Sequence, residues 1–140
     1  MSITTNKSIA RRYFEQVFNE HRQDLVEEFL AENIELHGSN LPPGVEAVKQ
    51  YLSSLTTGFP DHQMIVEDVV AEGDRVVART TLIGTQLGEM LGIPATGKAV
   101  NVPAITIFRL DNGKIAEGWT VSDGLGMMQQ LGVIPAVQGN

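Results

Sequence analysis

Hydrophobic residues follow two different periods along this chain. As far as Leu55 they recur every three or four positions, which predicts amphipathic helices. The short segment 34–37 interrupts them with an alternating pattern typical of a strand. The expected helical faces are Ile9, Tyr13, Phe14, Val17 and Phe18 in a first helix, residues 24–30 in a short second helix, and Val45, Val48, Tyr51, Leu52 and Leu55 in a third.

The second half of the chain alternates between apolar and polar side chains, as strands do. Asn112-Gly113 lies between two such runs, and this dipeptide is a strong hairpin signal. Helices followed by long antiparallel strands predict a single α+β domain over residues 1–140, with the helices on one face of the sheet. The expected strands are residues 63–71, 75–86, 100–110 and 114–122, and a closing helical turn is expected around Leu125, Met128 and Leu131.

The strand at 100–108 is apolar on both faces, since Val102 and Phe108 alternate with Ile105 and Ile107. A sheet that needs cover on both sides is buried by helices on one face and by something else on the other. We therefore expect a homodimer or a higher homo-oligomer. A curved sheet closed by helices would also enclose an apolar pocket suited to a small molecule.

Composition excludes several kinds of function. The net charge of −7 and the pI near 4.8 disfavour binding to nucleic acid and to anionic membrane surfaces. The chain has no cysteine, so disulfides, thiolate nucleophiles and cysteine-based metal sites are excluded. Neither a signal peptide nor an apolar run of membrane-spanning length is visible, which predicts a cytoplasmic protein.

The last predicted strand carries the only tryptophan and leads to an acid. Strict alternation would put Ile115, Glu117, Trp119, Val121 and Asp123 on one face. Burial beside an apolar ring raises the pKa of a carboxyl group, which is one way to obtain a general acid or base. In the alternative interpretation, Trp119 is a core residue and Asp123 caps a helix that starts at Gly124 or Leu125.

The three histidines are weaker candidates. His21 lies in a polar stretch and is expected to be exposed, whereas His37 and His62 adjoin predicted strands and could bind a ligand oxygen. A metal centre needs several converging ligands, and no His-x-x-x-His spacing is present, so we expect no metal. No Gly-x-Ser-x-Gly elbow indicates a serine nucleophile either.

Several of these segments together resemble a known family. They are Phe59-Pro60-Asp61, residues 67–76, the loop from Gly84 to Lys98, Ile107-Phe108-Arg109, Gly113-Lys114-Ile115, and Glu117-Gly118-Trp119 with Asp123. In order and spacing they look like a SnoaL-like polyketide cyclase of the nuclear-transport-factor-2-like superfamily. The resemblance runs from the first helix to Leu131.

This resemblance implies a cone-shaped α+β barrel, in which three N-terminal helices pack on a strongly curved, mainly antiparallel sheet that encloses a pocket. It also implies intramolecular aldol condensation without a metal or cofactor. By the same comparison Asp123 would be the acid/base residue and Trp119 a pocket wall. The chain departs from the family pattern at Gly118, where a histidine is often found, and at Thr106, the only polar candidate on its strand.

The sequence thus predicts a cofactor-free enzyme for an apolar, carbonyl-containing substrate. Asp123 would exchange protons with the substrate, while His37 or His62 would stabilise an enolate oxygen. Trp119, Phe59, Phe14, Val17, His62 and Thr106 are the expected substrate-binding residues. A non-catalytic binding or oligomerisation domain, or an isomerase or epoxide hydrolase in the same fold, are the alternatives.

Overall fold

The computed structural model describes residues 2–135. Helices come first and four of the five strands come after them, so the predicted α+β organisation is confirmed. The helical elements are α1 (Ile3–Arg12), a π-helical continuation (Tyr13–Asn19), a 3₁₀ turn (Gln23–Leu25), α2 (Val26–Phe29), α3 (Val45–Gly58) and α4 (Gly124–Gln130). The strands are β1 (Leu30–His37), β2 (Gln63–Glu72), β3 (Arg75–Thr85), β4 (Ala99–Asp111) and β5 (Lys114–Ser122).

The five strands form one sheet in the order β1-β5-β4-β3-β2. β1 runs parallel to β5, and the other three pairings are antiparallel. The sheet curls around the helices without closing into a barrel. α1 contacts β2 and β3, the π-helical segment contacts β2, α3 contacts β1 and α4 contacts β4. None of the helices within residues 2–135 has both the length and the apolar character needed to cross a bilayer.

An aromatic cluster fills the space between the first helix and the sheet. The Tyr13 ring lies 5.5 Å from Phe18 and 6.0 Å from Phe108, both edge to face, which is a favoured geometry for aromatic pairs. Phe14 also contacts Phe108, with the ring centroids 5.7 Å apart. Burial raises the pKa of the Tyr13 hydroxyl far above its usual value, because the phenolate would lose its solvation.

The Asn112-Gly113 hairpin is confirmed. Both residues have positive φ, 50° and 81°, as a two-residue turn of this kind requires. The turn joins β4 to β5 and sets their register, with Asp111 opposite Lys114 and Leu110 opposite Ile115.

A β-bulge at Ala116 then interrupts this register. Leu110 pairs with Ile115 but Arg109 pairs with Glu117, so Ala116 has no partner on β4. The extra residue reverses the side-chain alternation of β5. Ile115 is therefore buried in the core, while Glu117 and Trp119 lie on the outer face of the sheet. The prediction that Ile115 and Trp119 share a face is wrong for this reason.

Two helix boundaries also differ from the prediction. The expected second helix over residues 24–30 is reduced to a 3₁₀ turn and the four residues of α2, and Leu30 already belongs to β1. The first helix ends at Asn19, one residue beyond its predicted apolar face, but its second half, Tyr13–Asn19, is π-helical.

Candidate functional site

Asp123 lies at the start of α4, directly after β5. Its Oδ1 accepts a hydrogen bond from the Gly126 amide at 2.9 Å, so the carboxylate caps the helix. Its own amide donates to the Pro103 carbonyl of β4, which fixes the position of the strand end. The residue is exposed, so the expectation of an acid buried beside Trp119 is wrong. Among residues 2–135, Oδ2 has no hydrogen-bond partner.

Trp119 and His37 form a separate group on the outer face. They are register partners on β5 and β1, and their rings stack with centroids 5.3 Å apart. The Arg75 guanidinium also lies 5.0 Å from the centre of the indole ring, which is a cation–π contact. Asp123 is four residues beyond Trp119, or about 13 Å along the strand direction. The structure therefore does not bring His37 and Asp123 together as a catalytic pair.

Glu117 connects His37 to a second charged group. Its carboxylate bonds to His37 Nε2 at 2.7 Å and accepts from Arg109 Nε at 3.1 Å. These two bonds, from His37 first and then Arg109, hold the pKa of Glu117 below its usual value. With Glu35, these side chains form the charged group that we call the Glu117 cluster. The pattern of the sequence did not predict this arrangement.

Within the part of the chain that the structure describes, one set of side chains lies close enough together to hold a metal ion, and it belongs to the Glu117 cluster. The set consists of Glu35, His37 and Glu117, whose ligand atoms all lie within 4.8 Å of one another. His37 and Arg109 already satisfy Glu117, and all these groups are at least partly exposed. Glu117 thus already has two partners within the chain, and we assign no metal to the cluster.

The other predicted substrate-binding residues lie on the inner side of the sheet and are buried. Phe14, Val17 and Phe59 are part of the hydrophobic core. Thr106 on β4 is buried as well, and its hydroxyl lies 2.9 Å from that of Thr120, its register partner on β5. Thr120 was not recognised from the sequence.

His62 is buried at the beginning of β2, on the far side of the sheet from β5. Its Nδ1 bonds to the Phe59 carbonyl at 2.9 Å, and its Nε2 has no partner among residues 2–135. The His21 ring, which is exposed as expected, stacks on it with the ring centroids 4.2 Å apart. Burial is the main cause that lowers the pKa of His62, since the imidazolium would be poorly solvated there.

The free energy of unfolding should therefore decrease as the pH falls from 7 to 5, a range that lies above the pKa values of the carboxylates. Because the pKa of His62 is lower in the folded chain, the unfolded chain takes up its proton first as the pH falls below about 6.5. The free energy of unfolding, measured by urea denaturation between pH 7 and pH 5, should decrease. Carboxylates with lowered pKa, such as Asp61 and Glu117, contribute their losses only nearer pH 4.

The matched variants for this measurement are His62→Asn and His21→Asn. His62→Asn should flatten the pH dependence between pH 7 and pH 5, whatever its effect on stability at neutral pH. His21→Asn removes the exposed member of the stacked pair and should retain most of the dependence. A wild-type stability that does not change over this interval would contradict the prediction.

The loop between β3 and β4 is organised around one buried amide. Gln86 donates from Nε2 to the Ile93 carbonyl, and its Oε1 accepts from both the amide and the hydroxyl of Thr96. Its backbone also pairs with Lys98 and Gly97 at the base of the loop. The loop is therefore a built structure rather than a flexible connection.

Exposed apolar side chains lie on this loop, on α4 and on the residues that follow α4. The two segments are neighbours because Gln86 pairs with Lys98, and Gln130 of α4 bonds to Asn101 just beyond it. We call this set the apolar rim. It consists of Leu87, Leu91, Leu125, Val133 and Ile134.

Two small depressions lie elsewhere on the surface. One, of about 230 Å³, adjoins the Glu117 cluster and is also lined by Asn33 and Asp111. The other, of about 150 Å³, lies beside Asn6 and the two hairpin turns. Neither is lined by any of the residues that the sequence predicted to form the site. The space inside the sheet, where a pocket was expected, is occupied by core side chains.

Comparison with known proteins places this geometry in a family. The sequence profile of SnoaL-like polyketide cyclases matches residues 8–131. Aklanonic acid methyl ester cyclase DnrD of Streptomyces peucetius is 30% identical, and the alignment covers 93% of this chain and 92% of that protein.

Solved structures agree with this assignment. TsrD from Streptomyces laurentii superposes with a TM-score of 0.88 at 28% identity, covering 96% of this chain and 99% of TsrD. A structure from Jannaschia sp. CCS1 superposes with a TM-score of 0.84 at 30% identity, covering 96% of this chain and 97% of the other. The chain belongs to the SnoaL-like polyketide cyclase family.

Proposed function

We propose that this protein is a cyclase that closes a ring in an apolar polyketide by intramolecular aldol chemistry, with Asp123 as the general acid/base. The observation that carries the proposal is the full-length similarity to aklanonic acid methyl ester cyclase DnrD. It is supported by the position of Asp123, whose carboxylate is fixed through one oxygen and accessible through the other.

The reaction needs only proton exchange at one group. Asp123 Oδ2 takes a proton from a substrate carbon that lies between carbonyl groups, and the resulting enolate carbon attacks a second carbonyl of the same molecule. A carbon–carbon bond forms and the attacked oxygen becomes an alkoxide. Asp123 then returns the proton to this alkoxide, so the enzyme is regenerated and no cofactor is consumed.

The substrate would bind across the apolar rim beside Asp123. Leu125 is two residues from Asp123, and Leu91 extends from the Gln86-organised loop at the same end of the sheet. Burying this apolar surface favours a largely hydrocarbon ligand and holds its reacting carbons near each other, which lowers the entropy cost of ring closure. Met127 and Met128, which are partly buried, can adapt to a polycyclic shape.

The roles of the inner residues follow from their burial. Thr106 and Thr120 form a hydroxyl pair on the inner face, and Phe14, Val17 and Phe59 belong to the core, so we assign them a supporting role. His37 and Trp119 lie on the outer face, so we do not include them in the proposed site. His62 is separated from β5 by two strands and is likewise left out.

Aklanonic acid methyl ester is the probe substrate for the test, because the relative acts on it. The purified protein should convert it into a product of equal mass with a different retention time in liquid chromatography with mass detection. A boiled sample gives the background rate of spontaneous closure.

Absence of turnover with this ester alone would exclude that substrate, so a panel of shorter β-polyketone esters is included. Tight binding of several members without conversion of any of them would contradict the proposal. That result would favour a non-catalytic binding protein instead.

A further inference from the structure

A small polar depression lies where the two hairpin turns of the sheet meet the beginning of α1. The Asp74 carbonyl of the first turn accepts a hydrogen bond at 2.8 Å from the amide of Leu110, which precedes the second turn. This bond holds the two turns together, so the depression is part of the folded sheet. Its volume is about 150 Å³, and it is lined by Asn6, Gly73, Asp74, Leu110, Asn112 and Gly113.

One of the lining residues, Asn6, has a polar atom without a partner. Asn6 is only 3% exposed, and its Oδ1 is buried with no hydrogen-bond partner among residues 2–135. An amide oxygen that is buried and unbonded is unfavourable, and such groups are rare in folded proteins. A ligand that donates a hydrogen bond from the depression would satisfy this oxygen.

We propose that this depression binds the primary ammonium group of a small molecule such as a short alkylamine. The site is separate from the one proposed for ring closure. It lies at the start of β5, whereas Asp123 follows the end of that strand, and the nine residues between them span about 30 Å.

The polar groups around the depression favour a cation that donates hydrogen bonds. Asp74 provides a carboxylate, and Asn6 and Asn112 provide side-chain amides. An ammonium group has three N–H donors, which matches one carboxylate and two amide oxygens. Arg75 Nε lies 3.4 Å from Asp74 Oδ1, a long contact that leaves Oδ2 to a ligand within the described chain. An anion would instead be repelled by Asp74 and by the net charge of −7.

The size of the depression and its apolar part favour an alkylammonium ion over a metal ion. A space of about 150 Å³ accepts a ligand of about six non-hydrogen atoms, so two or three carbons fit beside the ammonium group. The Leu110 side chain offers these carbons an apolar contact. Calcium ions are bound by six to eight oxygens with several carboxylates, whereas the lining residues within 2–135 include one carboxylate, that of Asp74.

The test follows proton–nitrogen NMR spectra of the labelled protein while ethylammonium chloride replaces sodium chloride at constant ionic strength. The backbone amide signals of Gly73 and Gly113 and the side-chain amide signal of Asn6 should shift together and reach saturation. The Gly126 amide, which bonds to Asp123 at the other end of β5, should not respond.

Two further compounds define the group that is recognised. Tetramethylammonium carries the same charge but has no N–H donor, so it should leave all of these signals in place. Nα-acetyl-lysine amide presents the ammonium group of a lysine side chain and shows whether the source is a free amine or a protein. Binding of either primary amine supports the proposal.

Asn6→Leu removes the buried acceptor and should weaken ethylammonium binding by at least about 10-fold, the effect of losing a hydrogen bond to a charged group. Asn112→Asp is the second variant, in case Asn6→Leu disturbs the fold by circular dichroism. Asp-Gly forms the same kind of two-residue turn as Asn-Gly, so the hairpin is retained. The added carboxylate should tighten binding by about 2–5-fold.

Asp74→Asn and Asp24→Asn form a matched pair. Each aspartate is exposed, by 60% and 64%, and lies beside an arginine neighbour. Asp74→Asn should weaken binding by about 2–5-fold, as expected for one exposed charge pair. Asp24 does not line the depression, so Asp24→Asn should leave the affinity unchanged.

Three results would overturn the proposal. The first is the absence of any shift at about 50 mM ethylammonium, well above the millimolar affinity expected for so small a ligand. The second is an equal response to tetramethylammonium, which would indicate attraction by charge alone. The third is an affinity that changes in neither Asn6→Leu nor Asn112→Asp, or that changes equally in Asp74→Asn and Asp24→Asn.

Discussion

Asp123→Asn should leave the protein folded and reduce ring closure by about 10²–10⁴-fold, the usual contribution of a general acid/base. The asparagine keeps an oxygen that can accept from the Gly126 amide, so α4 retains its cap. It lacks the group that takes and returns the proton. The rate should be measured under single-turnover conditions with the probe ester, so that product release does not mask the loss.

Two further variants separate chemistry from helix capping at Asp123. Asp123→Ala removes both functions and should additionally lower the free energy of unfolding by about 1 kcal/mol. Asp111→Asn removes an exposed carboxylate elsewhere on the surface and should leave turnover unchanged. If Asp123→Asn retained wild-type turnover while Asp123→Ala lost it, Asp123 would be a structural cap and the proposed mechanism would be wrong.

The largest stability effect is expected at Phe108. This ring is buried between Tyr13 and Phe14 on one side and the backbone of Gly118 on the other. Phe108→Ala should lower the free energy of unfolding by about 3–5 kcal/mol, because the rigid sheet and helix cannot close the cavity. That is a large fraction of the 5–15 kcal/mol typical of a domain, and urea denaturation at pH 7 measures it.

Leu125→Ala is the control for Phe108→Ala. Leu125 is 56% exposed, so its truncation should change stability by no more than about 0.5 kcal/mol. Phe108→Leu retains most of the volume and should cost less than the alanine variant. Equal losses for Phe108→Ala and Leu125→Ala would show that the aromatic cluster does not act as the core of this fold.

The fold could be predicted from the sequence because the patterns that indicate its helices and turns involve residues close together in the chain. The helical period from Ile9 to Phe18 and the Asn112-Gly113 turn each depend on neighbouring residues only, and both are confirmed. The family could be identified for a similar reason, since the motifs occur in a fixed order along the chain.

The arrangement of the candidate site was only partly accessible. Alternation predicts which side chains share a face only while the strand remains regular. No residue pattern in 114–118 indicates that Ala116 is unpaired. Trp119 was therefore assigned to the wrong side of the sheet. The expected burial of Asp123 was wrong for another reason. An aspartate just before a helix fits both a capping and a catalytic role, and the sequence does not show whether its side chain is exposed.

Gly118 shows how the same local geometry explains a departure from the family pattern. A Cβ at this position would lie 2.9 Å from the Leu36 side chain and 3.2 Å from the Phe108 ring. The space that a larger residue would need is already occupied. A histidine here would have to displace Phe108, so its absence is a consequence of how this core is packed.

The unpaired Ala116 has a consequence for how this sheet could change over time. Deleting one residue at that point would move each side chain from Glu117 to Val121 to the opposite face of the sheet. Side chains that now face the helices would then face outward, and the outward-facing ones would face the helices. A single-codon deletion could therefore move the indole inward and bring the threonine to the surface.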